Sequence, residues 1–415
     1  MRTQEFPSYP AVTTRRLRGF SLVELMVGLT VGIIALLVMA QMLSSSETQK
    51  RTTLGADDAQ NSGVVALDTL QREIRQSGFG IDELRILACQ LQWPDLSTTP
   101  YRLAPVTINP GTLVMPDGDA NSDTLLVIYG NSNGGTQGLN LFNPADLEGV
   151  TSDIAVIRTA TVNENYYLWG FPTVVQGDWI IPDGGANPGV PISACNVALP
   201  IRRVSAINFF PQAAAPAPTQ AVGFLFNLGP ARPGVVTPSL QVLAYAVRNN
   251  NLTVCDYMVN NCAAACTAAD GTCSAAWVPV ASNIASLRAQ YGRDTNAVPN
   301  DLDGMVDTFD QTTPTTGCGW GRVMAIRLAL VAQSAQSAAG VITAAAPTWA
   351  GTTSPTPVLI DLTGVRTAGG GLTWQNYRYK VFETTIPLRN NPAWTLVRLR
   401  DHSRPDYREP TGCAS

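Results

Sequence analysis

An apolar run near the start of the chain restricts the possible folds more than any other feature. From Phe20 to Leu43 there are 24 residues, and Glu24 is the only charged one. At about 1.5 Å of rise per residue, a helix of that length spans the ~30 Å hydrocarbon layer of a bilayer. An ionised group at such a depth costs roughly 2.5 to 3.5 kcal/mol, so Glu24 is interpreted as a functional residue.

Basic residues flank the apolar run on its N-terminal side. Arg15, Arg16 and Arg18 directly precede it, which favours a cytoplasmic N-terminus and an exported body. The run is longer than the apolar core of an ordinary secretory signal, and no small-residue cleavage motif follows it. The alternative is cleavage before the run, at Gly19-Phe20, which would leave the apolar helix on the mature protein.

A basic leader that ends in Gly19 and continues as "FSLVELMV" resembles the class III signal of type IV pilins and pseudopilins. The resemblance implies that a prepilin peptidase removes residues 1–19, methylates the new N-terminus at Phe20 and leaves Glu24 for filament assembly. A buried carboxylate needs a partner, and the terminal ammonium of a neighbouring subunit can supply one. The alternative is a plain membrane anchor in which Glu24 reaches the interface. Gln41 departs from the pilin pattern, since many pilins have a helix-bending proline there.

The helical pattern continues beyond the apolar run. One apolar face is formed by residues three or four positions apart, namely Ala56, Ala59, Gly63, Leu67, Leu70 and Ile74. Gly78 provides the expected stop signal after Arg75. The sequence therefore predicts one helix over 20–77, whose first part, 20–43, spans the membrane.

The remaining residues, 78–415, are predicted to form a large β-rich region. Short apolar or alternating runs bounded by turn residues predict strands at 123–130, 152–159, 177–182, 203–210, 223–228, 240–255, 322–331 and 377–390. Asn249 to Asn251 predicts a hairpin tip. Segments 211–222 and 334–357 are rich in Ala, Pro, Thr and Ser and are predicted to be surface loops. The 35 glycines and 29 prolines suit such a loop-rich region.

The cysteines all follow the apolar run, which indicates an oxidising compartment and disulfides. They are Cys89, Cys195, Cys255, Cys262, Cys266, Cys273, Cys318 and Cys413. The sequence does not determine their pairing. The local group from Cys255 to Cys273 allows zinc as an alternative, although it contains no CxxC pair.

An acidic stretch at 292–310 has the spacing of a calcium loop. Counting from Pro299, oxygen ligands at the required positions come from Asp301, Asp303, Asp307 and Asp310, with a glycine at position 6. Proline cannot ligate through its side chain, so Asp294 or Asn296 would fill the first position. The alternative is a polar turn between strands. The protein is expected to require no cofactor, and Ca²⁺ is the ion that this stretch suggests.

Catalysis finds little support in the sequence. His402 is the only histidine and lies in a polar C-terminal segment, and no nucleophile motif accompanies any serine. No phosphate-binding loop is present, so a separate motor must drive any assembly. The net charge of −4 argues against nucleic acid as the main partner. We therefore predict a protein that is not an enzyme.

Several segments in order narrow the family. "GDWIIP", "VRNNNLTVC", "VASNIASLRAQYGRD", "GRVMAIRLALVAQS" and "YRYKVFETTIPLRNN" together resemble the PilW-type minor pilins of the type IV pilus system. This resemblance implies an α+β, type IV pilin-like fold, in which a long N-terminal helix packs on a large antiparallel β domain stabilised by disulfides.

The same resemblance implies a function in pilus assembly. Such a subunit joins other minor pilins and a tip adhesin in a complex that primes the pilus, working with the prepilin peptidase and the inner-membrane assembly platform. It supports twitching motility and adhesion, with its body in the periplasm before assembly and at the pilus tip afterwards. The alternatives are a minor pseudopilin of a type II secretion system and a tip-located binding module for surfaces or DNA.

Overall fold

The computed structural model describes residues 21–81, 86–92, 101–111, 115–116, 118–130, 139–142, 154–160, 164–169, 173–184, 199–210, 223–230, 240–264, 276–295 and 303–391. The chain divides into two compact units, Met1–Leu54 and Gly55–Ser415. The predicted leader, residues 1–19, lies outside the described residues, as does the loop predicted at 211–222.

Helix α1 (Leu22–Gln76) is the longest element of the described chain. Its C-terminal end agrees with the sequence, because Gly78 has φ +81°, a left-handed conformation that glycine adopts without steric cost. The Ser77 amide still donates to the Glu73 carbonyl at 3.0 Å. The helix predicted from the apolar run and the periodic positions is therefore confirmed.

Strands are the main secondary structure of the remaining described residues. They are β1 (Gln90–Gln92), β2 (Tyr101–Arg102), β3 (Val106–Ile108), β4 (Leu125–Tyr129), β5 (Leu139–Phe142), β6 (Ile154–Thr159), β7 (Asn165–Trp169), β8 (Asp178–Gly184), β9 (Leu199–Pro200), β10 (Arg202–Phe210), β11 (Gly223–Pro230), β12 (Gln241–Arg248), β13 (Asn251–Asp256), β14 (Val278–Ser282), β15 (Ile284–Arg293), β16 (Thr308–Asp310), β17 (Val323–Gln333) and β18 (Tyr379–Pro387). A short helix α2 (Gly317–Gly321) precedes β17, and 3₁₀ turns lie at Ala350–Thr353 and Trp374–Asn376.

These strands form four groups. A small three-stranded sheet has the order β2-β1-β9, and a closed barrel has the order β10-β6-β7-β5-β11-β8. The five-stranded sheet has the order β14-β13-β12-β4-β3, and the four-stranded sheet has the order β16-β15-β17-β18. All described strand pairs are antiparallel except β1 with β9. The prediction of a large antiparallel β region is therefore confirmed.

One hydrophobic core joins α1 to the two larger sheets. Leu70 and Ile74 of α1 are buried together with Val127 of the five-stranded sheet and Ile326 and Leu328 of the four-stranded sheet. Each sheet alternates its side chains between two faces, so only one face of each can meet this core. We call residues 55–76 of α1 the docked half, because their apolar face completes this core.

The opposite faces of both larger sheets are buried as well. The barrel side chains Trp179 and Phe226 pack with Leu126 and Val242 on the outer face of the five-stranded sheet. On the four-stranded sheet, Ala329 packs in a second cluster together with Trp349, Val358, Ile360 and Leu362. Strand β17 is consequently buried on both faces along nearly its whole length.

The prediction that 334–357 is only surface loop is wrong at Trp349. Its indole Nε1 donates to the Val358 carbonyl at 2.7 Å, which satisfies the polar atom of a buried ring. The Arg327 guanidinium lies 3.7 Å from the centre of the Phe309 ring and 5.6 Å from that of Trp349. Burial lowers the pKa of Arg327 below its ordinary value. These contacts fix a segment whose composition alone resembles that of a loop.

Candidate assembly site

The first part of α1 exposes apolar side chains on all sides. Leu22–Ser46 is long and apolar enough to cross a membrane, and none of its most apolar stretch is buried within the chain. Its large aliphatic side chains are between 46% exposed at Val38 and 75% exposed at Leu22. A helix that is apolar all round needs lipid or other apolar helices around it. We call Leu22–Ser46 the apolar segment.

Glu24 lies in the first turn of α1 and is exposed. The Ser21 side-chain oxygen accepts a hydrogen bond from the Val23 amide at 3.4 Å, and the Leu25 amide donates to the Ser21 carbonyl at 3.1 Å. A carboxylate in the first turn is favoured by the partial positive charge of a helix N-terminus. Within the described residues, no ion pair includes Glu24. Gly19 and Phe20, the predicted processing residues, lie outside the described residues.

The docked half shows how closely α1 approaches the four-stranded sheet. A Cβ added at Gly63 would lie 2.1 Å from the ring of Phe382 in β18, so the ring occupies the space that any side chain would need. Polar contacts flank this approach. The Gln71 amide donates to the Thr384 hydroxyl at 2.9 Å, and Lys380 donates to Gln60 at 3.0 Å.

A second contact joins the docked half to the five-stranded sheet. The Tyr129 hydroxyl in β4 donates to the Glu73 carboxylate. Burial raises the pKa of Tyr129 above its ordinary value, and the hydrogen bond to Glu73 and its charge raise that pKa further. The neutral phenol is therefore the form that stabilises the docked helix.

A buried carboxylate that sequence reasoning missed connects the two larger sheets. Asp123, two residues before β4, accepts hydrogen bonds from Asn109 at 3.0 Å and from the Ala289 amide at 2.9 Å. It also accepts from Gln311 at 2.7 Å and lies 3.3 Å from Arg288. In the sequence, Asp123 is visible only as a polar boundary before an apolar strand, since its donors come from distant segments.

The predicted calcium loop is only partly described. Its described carboxylates accept hydrogen bonds from neighbouring groups: Asp294 from the Gly304 amide, Asp303 from the Met305 amide, Asp307 from the Thr295 amide, and Asp310 from Arg293 and the Thr312 amide. Asn296, Pro299 and Asp301 lie outside the described residues. In the described part, no three His, Cys, Asp or Glu side chains come together as a metal site. Calcium binding here stays a prediction.

The structure contains disulfides, as the sequence predicts for cysteines that all follow the apolar run. Cys255 at the end of β13 is bonded to Cys262, and both are buried. Cys89 and Cys318 are also disulfide-bonded. Zinc bound through Cys255 and Cys262 is therefore wrong, because disulfide sulfurs are not thiolate ligands. Cys195, Cys266, Cys273 and Cys413 lie outside the described residues, as does His402.

A comparison with known protein families matches one part of the chain. Residues 244–390 match the family model described as Type IV Pilus-assembly protein W. No curated protein and no solved structure matches the chain. The matched residues begin within β12 and extend past the end of β18, so they include the whole four-stranded sheet.

The matched region contains segments on which the sequence resemblance rests, among them "GRVMAIRLALVAQS" and "YRYKVFETTIPLRN". Helix α1 lies outside the match, so its apolar segment is an independent observation that agrees with a membrane-anchored pilus component. The resemblance is confirmed over residues 244–390, and this match supports a PilW-type component of the type IV pilus system that is involved in type IV pilus assembly.

Proposed function

We propose that this chain is a minor pilin of a type IV pilus, which joins other minor pilins in a tip complex that primes pilus assembly. The match of residues 244–390 to the pilus-assembly family carries the proposal. The apolar segment supports it, because a subunit that leaves the membrane to enter a filament needs a helix that is apolar on all sides. Surface display of pili, twitching motility and adhesion follow from this role.

Glu24 is the residue proposed to direct assembly. A prepilin peptidase cuts after Gly19 and methylates Phe20, which leaves an ammonium group at the start of the mature helix. In a bundle of apolar helices, the Glu24 carboxylate of one subunit pairs with the terminal ammonium of its neighbour. The pair fixes the register of the two helices, since any other offset leaves a charge without its partner.

The proposed location follows from the same features. The apolar segment holds the protein in the inner membrane with its body in the periplasm, and assembly carries it to the pilus tip. The Cys255–Cys262 disulfide supports an oxidising compartment for the body. The proposed partners are other minor pilins, a tip adhesin, the prepilin peptidase and the inner-membrane assembly platform. No nucleic acid and no cofactor other than Ca²⁺ enter the proposal.

Replacement of Glu24 by Gln tests the proposal, because Gln keeps the shape of the side chain and removes its charge. We expect Glu24→Gln to remain in the inner membrane while its amount in sheared pili falls about tenfold or more, as expected when a buried ion pair loses one partner. Gln41→Ala is the control, since it removes another polar side chain from the apolar segment. The measurement is quantitative immunoblotting of membrane and pilus fractions.

Normal incorporation of Glu24→Gln into pili would contradict the proposed pairing of Glu24 with a neighbouring N-terminus. Deletion of the whole gene tests the priming role separately, because loss of a primer reduces the number of surface pili. A subunit that only binds surfaces would leave that number unchanged. The mass of the mature N-terminus reports whether Phe20 is the first residue and is methylated.

A further inference from the structure

The stretch that follows Arg327 contains no charged residue for a long distance. Residues 328–360 include no Asp, Glu, Lys or Arg, whereas 14% of the whole chain is charged. The first part of this stretch is the buried strand β17, where the absence of charge is expected. The remainder reaches the surface, where charged residues normally keep a protein soluble. An uncharged surface segment therefore needs an explanation.

One loop within this stretch presents apolar side chains to solvent. We call residues 338–346 the apolar loop. Val341 is 62% exposed and Ile342 is 37% exposed. The three alanines that follow Thr343 are also exposed. Contiguous apolar residues on a surface mark interaction sites more often than isolated ones do.

The apolar loop is held in one conformation by the 3₁₀ turn Trp374–Asn376 and the residue after it. Hydrogen bonds join the two segments: Ala338 N to Asn376 O (2.8 Å), Asn376 Nδ2 to Gly340 O (3.1 Å), Ile342 N to Gln375 O (2.9 Å), Thr343 N to Gln375 O (3.1 Å) and Thr343 Oγ1 to Tyr377 O (2.6 Å). A loop already ordered in the free protein loses little conformational entropy on binding. The exposed Val341 and Ile342 are therefore prepared for a contact.

We infer that the apolar loop is a docking contact for another subunit of the same pilus, which offers it an uncharged apolar recess. This inference rests on the proposed function. The chemistry of the loop selects the partner. Anionic lipid surfaces and nucleic acids are recognised through Lys and Arg, and the loop has neither. A protein recess that buries aliphatic side chains is the remaining match, and the loop lies inside the residues matched to the pilus-assembly family.

A charge placed at Val341 tests the contact. Val341→Asp leaves the fold intact because the side chain points mainly to solvent, but its carboxylate would have to be desolvated in an apolar recess. We expect the variant to be about tenfold depleted from isolated complexes with other pilus subunits, compared with the unchanged chain. Val259→Asp is the matched control, since Val259 is 59% exposed and lies in the turn after β13.

The experiment uses the full-length chain expressed in a piliated strain that lacks the original gene. Thermal unfolding and total protein level must be equal for both variants and the unchanged chain. Depletion of Val341→Asp alone supports the contact. Equal recovery of all three proteins overturns it, and so does equal depletion of both variants.

A photoreactive amino acid at position 341 identifies the occupant directly. We expect a crosslinked product that contains a different subunit with a prepilin-type N-terminus, and none from position 259. Crosslinks only to lipid, to nucleic acid or to a second copy of this chain would overturn the inference. Gene deletion distinguishes a failure of the proposed function from a failure of the docking contact. If deletion leaves pilus number unchanged, the proposed function fails, whereas normal recovery of Val341→Asp with a clear deletion phenotype removes only this contact.

Discussion

The two parts of α1 place their apolar side chains in opposite ways. The apolar segment exposes its large side chains all round, while the docked half buries one face against two sheets and leaves Asp57, Asp58 and Asp68 on the other. The first pattern suits an environment that is apolar on every side, and the second suits a boundary between a protein core and water. Both parts belong to one continuous helix, so what differs between them is the surroundings that each part requires.

Small residues have different meanings in the two parts. In the apolar segment, a Cβ added at Gly28 or Gly32 would meet no atom within 4 Å. In the docked half, Gly63 lies directly under the Phe382 ring. The same residue type is therefore a local weakness of the helix in one part and a requirement for packing in the other.

The largest effect is expected from a cavity under the docked half. Leu70 is completely buried in the core that α1 shares with both larger sheets. Leu70→Ala should lower the free energy of unfolding by about 2 to 5 kcal/mol, through lost transfer energy and the cavity left behind. Leu36→Ala in the apolar segment should change it by less than about 0.5 kcal/mol. Urea unfolding of the full chain in detergent, followed by tryptophan fluorescence, measures both.

Equal effects of Leu70→Ala and Leu36→Ala would contradict the difference between the two parts of α1, because both parts would then contribute equally to the stability of the folded body. The same detergent must be used for both proteins, and helical content before unfolding should be the same.

A smaller effect is expected from a methyl group at the close approach. Alanine is a better helix former than glycine by about 1 kcal/mol, so Gly32→Ala should leave the body unchanged and strengthen the helix. Gly63→Ala should instead destabilise the body by about 1 to 3 kcal/mol, since the Phe382 ring must move. In a chain that already carries Phe382→Ala, the substitution Gly63→Ala should destabilise the body less than it does in the unchanged chain. Stabilisation by Gly63→Ala would contradict the packing described here.

Local features of this fold were predictable from the sequence, and long-range ones were not. The end of α1 before Gly78 and the hairpin tip at Asn249 and Asn250 both follow from residues that adopt positive φ. The period of three to four in the docked half predicted its buried face, since Ala59, Leu70 and Ile74 are buried as expected. Each of these depends on neighbours within one or two turns.

Sheet order and buried polar contacts depend on residues far apart in the chain. Nothing near Trp349 indicates that it covers the outer face of the four-stranded sheet, because its partner Arg327 becomes a neighbour only after β17 is formed. Asp123 is similar, since its donors Ala289 and Gln311 are more than 160 residues away. For pilus assembly, the leader motif alone predicts a role for Glu24, whereas the exposed surface of the apolar loop becomes visible only in the structure.

The smallest effect is expected from the hydrogen bond between Tyr129 and Glu73. This bond should make the stability of the docked half depend on pH, whereas the apolar segment should not respond. Tyr129→Phe should cost about 1 kcal/mol of unfolding free energy near neutral pH, the net value for a typical intramolecular hydrogen bond, because Glu73 is only half-buried. The pKa of Tyr129 is raised in the folded protein by burial and by Glu73, so folding favours the neutral phenol. The contribution of the neutral phenol to stability is complete below about pH 10, the ordinary pKa of tyrosine, and is lost as the pH rises further.

The unfolding free energy should therefore fall more steeply above about pH 10 in the unchanged chain than in Tyr129→Phe, while the helicity of the apolar segment in detergent stays constant. Parallel pH profiles of the two proteins would show that this hydrogen bond does not hold the docked half in place.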